Sequence, residues 1–194
     1  MGMAKVLAFV NQKGGVGKTT SAVNLAAALQ KAGKHVLLCD FDPQANATSG
    51  LGVEKSTAAH STYDIVIEDF PAADAVIHTQ YCDVLASNVA LSGAGVELTE
   101  LMVTRRAVKR RLNPTISIFG VLLTMSDGRT KYSAQVAEEV RRHFPGKVFA
   151  SAIPRNVRLS EAPSHGMPVC AYDKFSRGAT AYDAVAQEIL AKEQ

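Results

Sequence analysis

The sequence predicts an α/β fold in three layers, with a mostly parallel β-sheet covered by helices on both faces. Short apolar runs alternate along the chain with longer segments in which apolar residues recur every three or four positions. The first strand and helix of this series are joined by a glycine-rich turn, KGGVGKTT, at residues 13–20. Strands alternating with helices are typical of parallel sheets whose two faces are both buried.

The predicted strands are short runs of apolar and β-branched residues bounded by polar, glycine or proline residues. In chain order they are Val6–Val10, Val36–Asp40, Asp83–Ala86, Ile116–Thr124 and Lys147–Ser151. A loop rich in Gly, Asn and Ser follows the second strand as far as Gly52. These runs supply strands both before and after the middle of the chain.

The predicted helices have apolar positions at helical spacing, such as Val136, Val140 and Phe144. In chain order they are Lys18–Lys31, Tyr63–His78 with a break near Pro71, Leu98–Leu112, Lys131–Phe144 and Gly178–Leu190. Gly33 ends the first helix, and Asn113-Pro114 ends the third. We see no linker or internal repeat, so residues 1–194 are predicted to form a single domain.

Composition fits a globular chain of this size. Of the 194 residues, 47% are apolar and 20% are charged. No apolar run approaches the roughly 18–20 residues that span a bilayer, and the N-terminus lacks a signal-peptide pattern. Cys39, Cys82 and Cys170 are far apart and form no CxxC pair. They are therefore interpreted as reduced thiols of a cytoplasmic protein rather than as disulfide or zinc ligands.

Positive charge is concentrated in one predicted helix, although the net charge is only +3. Five cations fall within seven residues above an apolar stripe: Arg105, Arg106, Lys109, Arg110 and Arg111. Two interpretations stay open. The cluster is either an ordinary solvated helix face or a patch that faces DNA.

The glycine-rich turn has the context of a phosphate-binding loop, because it lies between a predicted strand and a predicted helix. Its glycines allow backbone N–H groups to surround phosphate oxygens, and the helix adds its positive N-terminal end. Lys18 can reach the β- and γ-phosphates, and the Thr19 hydroxyl can bind Mg²⁺. The predicted nucleotide-binding residues of this loop are Gly14, Gly15, Val16, Gly17, Lys18, Thr19 and Thr20.

The loop departs from the usual pattern G-x-x-x-x-G-K-[ST] at its first position, where Gln12 replaces glycine. A second lysine, Lys13, follows it. Lys13 cannot easily fold back onto the phosphates of its own loop, because Lys18 and the backbone amides occupy that space. Lys13 either reaches a nucleotide held by a facing subunit or is a solvated loop lysine.

The KGGVGKTT loop resembles the deviant Walker A loop of the ParA/MinD group of P-loop ATPases. The stretch DFDPQANAT, from Asp40 to Thr48, is similar to a motif of the ParA/Soj branch. The resemblance implies that ATP and Mg²⁺ bind here, with Thr19 and Asp40 near the metal. It also implies that Asp42 positions the attacking water, in a reaction that depends on positioning and charge neutralisation. The alternative is that a strand-end aspartate caps the next turn.

The second half of the chain carries three more blocks that resemble the ParA family. They are Gly120–Thr130, Ile153–Gly166 and Tyr172–Ala179. The resemblance implies that Pro154 and Asn156 lie beside the adenine, and that Arg129 and Arg158 contact DNA without reading its sequence. Ordinary surface arginines are the other interpretation.

One family block is not found in this chain. It is the apolar Walker B strand, which reads roughly YDxIIIDCPPSLG in the family, together with the strand and helices that follow it. The apparent deletion junction lies near residues 96–102, so the predicted fold is a shortened one. Tyr63–Pro71 is either a substitute strand that places Asp69 at the metal or a helix, and its spacing from Lys18 favours the helix.

The resemblance implies a ParA-like ATPase for chromosome or plasmid partitioning. It would form a homodimer on binding ATP, with Lys13, Lys18 and Asp42 as catalytic residues. It would be cytoplasmic and nucleoid-associated and would bind DNA non-specifically. A ParB-like protein would stimulate its ATP hydrolysis. The alternative is a non-hydrolysing nucleotide- or DNA-binding module, or a truncated dominant-negative homologue, because the Walker B block is absent. A MinD-like membrane ATPase is disfavoured by the short, slightly acidic tail, Ala186–Gln194.

Overall fold

A computed structural model describes residues 4–56, 58–92, 115–127 and 130–192. Its helices are Lys18–Lys31 (α1), Asn46–Gly50 (α2), Thr62–Ile67 (α3), Lys131–His143 (α4), Val157–Glu161 (α5), Val169–Tyr172 (α6) and Arg177–Ala191 (α7). Its strands are Leu37–Cys39 (β1), Val76–His78 (β2) and Asp83–Leu85 (β3). Short 3-10 turns cover Ala72–Ala75 and Ala162–His165. The α/β class is confirmed, and α1 has the predicted bounds.

The described sheet has β3 between β1 and β2. β1 runs parallel to β3 with Leu38 opposite Val84, and β2 runs antiparallel to it with Ile77 opposite the same residue. Val84 is completely buried, because both neighbouring strands and α1 cover it. The sheet is mixed, since the short turn between β2 and β3 makes a hairpin rather than a crossover.

The predicted helix Tyr63–His78 is confirmed only in its first part. α3 begins with a capping box, in which the Ser61 hydroxyl accepts from the Tyr63 N–H and the Asp64 carboxylate accepts from the Ser61 N–H. The helix ends at Ile67. The prediction is wrong for β2, because backbone pairing with β3 outweighs the local helical pattern. Asp69 therefore follows a helix and not a strand.

The predicted strand Val6–Val10 is wrong. Its backbone groups form no hydrogen bond with any other described residue, and the side chains of Val6 and Val10 are 89% and 87% exposed. Leu7 alone packs against the core. A strand requires a neighbour to pair with, and the described parts of the chain place none beside this segment.

The later predicted strands pair only at single points. Val121 and Val148 form an isolated parallel bridge, and Ser126 and Pro154 form another. The Ile153 N–H also donates to the Leu123 carbonyl at 2.8 Å. The segments Ile116–Thr124 and Lys147–Ser151 thus lie beside each other, but they pair at isolated bridges and do not form the two predicted strands.

The main core lies between α1 and α7. The Ser21 and Tyr182 hydroxyls meet at 3.1 Å inside it, and Lys31 pairs with Asp183 at 2.8 Å at its edge. The apolar side chains buried there come from both helices and from the C-terminal segments: Leu25, Ala28, Phe149, Ile153, Ala162, Val169, Ala179, Val185, Ala186 and Ile189. This packing fixes α1, and with it the loop that precedes α1.

α4 confirms the predicted helix near Lys131–Phe144 and is capped by the Thr130 hydroxyl, which accepts from the Ser133 N–H. Its apolar stripe is only partly covered within the described chain, because Val136 is 40% exposed and Phe144 is 37% exposed. α7 confirms the last predicted helix, with one residue added at each end.

Several predictions fall outside the described residues. These are the helix Leu98–Leu112 with its five cations, the junction near 96–102, and Arg129. Within the residues described, no helix is both long enough and apolar enough to cross a bilayer. The three cysteines are free, as predicted.

We expect Tyr182→Phe to lower the free energy of unfolding by about 1 kcal/mol, because it leaves the buried Ser21 hydroxyl without its partner. Urea unfolding midpoints measure this effect. Tyr81→Phe is the matched control, since the Tyr81 hydroxyl makes no hydrogen bond among the described residues. If Ser21→Ala added to Tyr182→Phe restores none of the lost stability, the two hydroxyls do not depend on each other.

We expect Glu188 to contribute stability only while it is ionised. Its carboxylate accepts from the Ala150 and Ser151 N–H groups, each at 2.7 Å. Burial raises the pKa of Glu188, but these hydrogen bonds together outweigh burial and hold the pKa below its usual value. Its contribution is therefore complete above the unfolded-state pKa of about 4.3 and is lost as the pH falls through the lower folded-state pKa.

The measurement is the free energy of unfolding as a function of pH for the wild type and for Glu188→Gln. The difference between the two should be largest near neutral pH and should shrink below about pH 4. Glu138→Gln, which removes only an exposed 3.8 Å contact with Arg142, is the control. A difference that stays constant with pH would contradict the assignment.

Candidate nucleotide-binding site

The glycine-rich loop adopts a conformation suited to an anion. Gly15 and Gly17 have φ of 69° and 85°, in the left-handed region that a side chain disfavours. Gly17 is also the N-cap of α1 and offers no side-chain acceptor to the first turn. The first N–H groups of α1 therefore remain available at the positive end of the helix, where phosphate oxygens bind.

The two loop lysines differ in their surroundings. Lys18 is half-buried as a residue, and its ammonium donates to the Lys13 carbonyl at 3.1 Å, across the loop. The Lys13 N–H donates to the Asn11 side chain at 2.9 Å, while Lys13 itself is exposed. Lys18 thus bridges its own loop, and Lys13 lies on the outer side of it.

The Thr19 hydroxyl makes no hydrogen bond within the described chain, so it is available as a ligand. It lies in the first turn of α1, beside a cavity of about 360 Å³ that Asn46, Ser49 and Ser164 also line. Mg²⁺ prefers oxygen ligands, keeps several waters, and is often bound by few protein groups plus phosphates. The described residues contain no group of three or more His, Cys, Asp or Glu side chains arranged to hold a metal ion. A Mg²⁺ site with few protein ligands fits the position of the Thr19 hydroxyl.

Asp40 is a buried carboxylate with a structural role. One oxygen accepts from both the N–H and the hydroxyl of Thr48 at 2.8 Å, and the other accepts from the Asp42 N–H at 3.1 Å. Thr62 donates to the Asp40 carbonyl at 2.9 Å. Asp40 therefore fixes α2 and α3 against the end of β1. This agrees with the alternative interpretation of Asp40, in which a strand-end aspartate caps the next turn. The prediction that it also lies near Mg²⁺ stays a prediction.

Asp42 is exposed, three residues beyond the end of β1. One of its oxygens accepts from the Gln44 N–H at 3.0 Å, and its carbonyl accepts from the Ala45 N–H. These contacts form a tight turn and leave the other carboxylate oxygen without a partner among the described residues. The Asp42 carboxylate is therefore open to water, as a water-positioning group must be.

The IPRN loop, Ile153–Asn156, is connected to the glycine-rich loop by hydrogen bonds that the sequence pattern does not reveal. The Thr124 hydroxyl donates to the Val16 carbonyl at 2.9 Å. Two residues later, the Ser126 N–H donates to the Ile153 carbonyl at 2.9 Å, next to Pro154. The predicted adenine contact Pro154 is thus placed on the same side of the molecule as the phosphate loop.

Asn156 already has a local role, because its side chain caps α5 by accepting from the Arg158 N–H at 2.9 Å. Its amide nitrogen makes no hydrogen bond within the described residues.

Asn24 is a supporting residue that sequence analysis missed. It donates to the Thr20 carbonyl and accepts from the Val169 N–H, each at 2.7 Å, and so ties α1 to α6. A buried asparagine within an apolar helix was the available signal.

Arg158 is half exposed at the start of α5 and pairs with two carboxylates, Glu161 and Asp173. It lies in the segment that follows Pro154 and Asn156 along the chain. The structure therefore brings the IPRN loop to the phosphate loop, and it places Arg158 in a separate ionic network on the surface.

Comparison with known proteins identifies the family. An AAA domain model matches residues 4–123. The sporulation initiation inhibitor protein Soj of Bacillus subtilis (strain 168) is 39% identical, with 97% of this chain and 99% of Soj covered. The chromosome partitioning protein ParA of Caulobacter vibrioides is 36% identical, with 98% and 95% covered. The Soj alignment extends over 251 positions, 57 more than the 194 residues of this chain, so gaps fall within this chain.

Solved structures agree on the fold. Cobyrinic acid a,c-diamide synthase from Mycobacterium smegmatis with bound ADP and magnesium has a TM-score of 0.78 and 25% identity, with 98% of this chain and 96% of that one covered. The septum site-determining protein MinD from Pyrococcus horikoshii, complexed with Mg-ADP, has a TM-score of 0.72 at 23% identity, covering 94% and 95%. Together with the loop geometry, these likenesses show that the chain belongs to the ParA/Soj family of P-loop chromosome-partitioning ATPases.

Proposed function

We propose that this protein binds Mg-ATP at residues 14–20, with Thr19 and Asp40 on the metal side and Pro154 and Asn156 beside the adenine. The observation that carries the proposal is the uncapped N-terminus of α1 behind two left-handed glycines, with the Lys18 ammonium beside them. When bound, Mg²⁺ would supply positive charge at the β- and γ-phosphates. The chain's own part is to hold the phosphates with amides and with Lys18.

We propose further that ATP joins two copies face to face. Lys13 is exposed, and its backbone rather than its ammonium is engaged in the loop. Its ammonium is therefore free to approach phosphates held by the second copy, where a fixed cation favours transition-state charge. Lys13 would then be a catalytic residue that acts in trans, and the homodimer would form only with nucleotide bound.

Hydrolysis would use Asp42 to orient the attacking water, because its carboxylate is exposed and has one oxygen unengaged. A second candidate is a non-hydrolysing nucleotide- or DNA-binding module, or a truncated dominant-negative homologue. The unpaired segment Val6–Val10 favours it, since the residues just before the loop lack the ladder that would hold them rigid. Asp69 follows helix α3 and lies outside any described strand, which argues against its replacing the Walker B carboxylate.

The partitioning role of the relatives suggests the remaining partners. The assembly would bind DNA non-specifically through Arg129 and Arg158, in the cytoplasm on the nucleoid, and a ParB-like protein would stimulate turnover. Backbone-phosphate contacts by a few arginines suffice for binding that ignores sequence. Arg158 supports the proposal, because half of its side chain is open to solvent.

We expect Lys18→Ala to weaken ATP binding about tenfold to a hundredfold, because one charged hydrogen-bond donor to the phosphates is lost. Isothermal titration with Mg-ATP measures the affinity. Lys34→Ala, an exposed lysine beyond the C-terminal end of α1, is the matched control and should bind like the wild type. Equal affinity in Lys18→Ala and the wild type would remove the site assignment.

We expect Asp42→Ala to abolish most turnover of ATP while leaving the affinity for Mg-ATP within about twofold, because Asp42 is assigned to water rather than to nucleotide. Phosphate release is measured with Mg²⁺ and DNA present, alongside Lys18→Ala. Asp74→Ala removes an exposed carboxylate from a 3-10 turn and serves as the control. Nucleotide binding by the wild type without turnover would instead support the non-hydrolysing module.

A further inference from the structure

The side chain of Arg158 is held by two acidic residues from different elements. Its Nη1 lies 2.8 Å from a carboxylate oxygen of Glu161, one turn further along α5. Its Nε lies 3.2 Å from a carboxylate oxygen of Asp173, which follows α6. The Tyr172 hydroxyl donates to the same Glu161 oxygen at 3.2 Å, and the His165 ring stacks on Tyr172 at 4.9 Å. We call Arg158, Glu161 and Asp173 the Arg158 latch.

The latch carries more negative than positive charge. One guanidinium faces two carboxylates. The hydrogen bond between Arg158 and Glu161 raises the pKa of Arg158 and lowers the pKa of Glu161. Arg158 and Glu161 therefore stay ionised near neutral pH. The third guanidinium nitrogen, Nη2, has no partner among the described residues. Arg158 is thus accessible to an anion from one side only.

We propose that Glu161 and Asp173 restrain DNA binding by competing with phosphate for Arg158. This inference rests on the DNA-binding role proposed above and goes one step further, since it assigns a regulatory function to two carboxylates. A phosphate that reaches Arg158 must either displace them or sit beside them. The Arg158 latch therefore keeps non-specific affinity lower than the number of arginines alone would give.

Elementary electrostatics sets the size of the effect. A phosphate about 5 Å from an exposed carboxylate is repelled in water strongly enough to weaken binding by about fourfold. Two carboxylates at that distance would weaken it by about sixteenfold without screening and by about tenfold at low salt, and more salt should reduce the effect further because the groups are exposed. Once Glu161 and Asp173 no longer hold it, the Arg158 guanidinium can make one more contact with a DNA phosphate. DNA affinity should then fall more steeply with salt concentration.

Isosteric variants remove the charge and keep the contacts. In Glu161→Gln the side-chain carbonyl can still accept from the Tyr172 hydroxyl. In Asp173→Asn the carbonyl can still accept from the Phe175 N–H, a 3.2 Å bond that shapes the turn before α7. The fold should therefore survive both substitutions, and thermal unfolding confirms that it does.

The experiment measures the affinity of the full chain, with Mg-ATP, for a mixed-sequence DNA duplex at several salt concentrations. The Glu161→Gln/Asp173→Asn protein should bind about tenfold more tightly than the wild type at low salt. Adding Arg158→Ala should remove the gain, because the gain acts through the guanidinium. Glu68→Gln changes the net charge by one unit in an exposed residue outside the latch, and should change affinity little.

The possible failures are distinct. If the wild type binds DNA and the neutralised variant binds equally or more weakly, the inference is overturned, since the carboxylates then position Arg158 rather than compete for it. If the gain persists with Arg158→Ala, it reflects overall charge and the inference is again overturned. If no form binds DNA at any salt concentration, the proposed DNA-binding function fails together with it.

Discussion

The packing of α1 against the C-terminal half of the chain is the constraint on which the candidate site depends. A phosphate loop is ordinarily held from both ends, by the strand before it and the helix after it. Here the segment Val6–Val10 has no ladder within the described residues, so the helix side fixes the loop. Tyr182 holds Ser21, the Val169 N–H holds Asn24, and Thr124 holds the Val16 carbonyl. Three contacts over one helix and its preceding turn thus replace what a central strand would supply.

The buried carboxylate Asp40 organises the other side of the site in a similar way. Burying an ionised group is costly unless hydrogen bonds satisfy it, and Thr48 and the Asp42 N–H supply three such bonds. The same Thr48 hydroxyl accepts from the Ser87 N–H at 3.0 Å. One carboxylate therefore couples β1, α2 and the end of β3, and it sets the turn that leaves Asp42 exposed.

The sequence predicted local features well and long-range pairing poorly. The bounds of α1 and the conformation of its loop follow from Gly17 and Gly33, which act within a few residues. Val76–His78 could not be predicted as a strand, because its conformation depends on pairing with β3 rather than on its own pattern. The prediction of a strand at Val6–Val10 failed for the opposite reason. The segment has the pattern of a strand, but the described chain offers it no partner. The links Thr124 to Val16 and Asn24 to Val169 join residues more than a hundred positions apart, and only the fold reveals them.

The phosphate loop is held firmly by α1, whereas the segment before it is unpaired. This difference affects nucleotide binding and catalysis differently. Binding phosphate needs backbone amides at one helix end, which α1 presents whether or not Val6–Val10 is paired. The proposed hydrolysis would need water, Asp42 and Lys13 placed within fractions of an ångström, because small displacements cost large factors in rate. Asp42 belongs to a turn anchored by Asp40, the residue just after β1, whereas the loop is anchored by α7. These two anchors are usually joined through a central sheet. In this chain the connection runs through α1 and its packing against α2, so the proposed turnover would depend on how rigidly that one helix joins the two halves of the site.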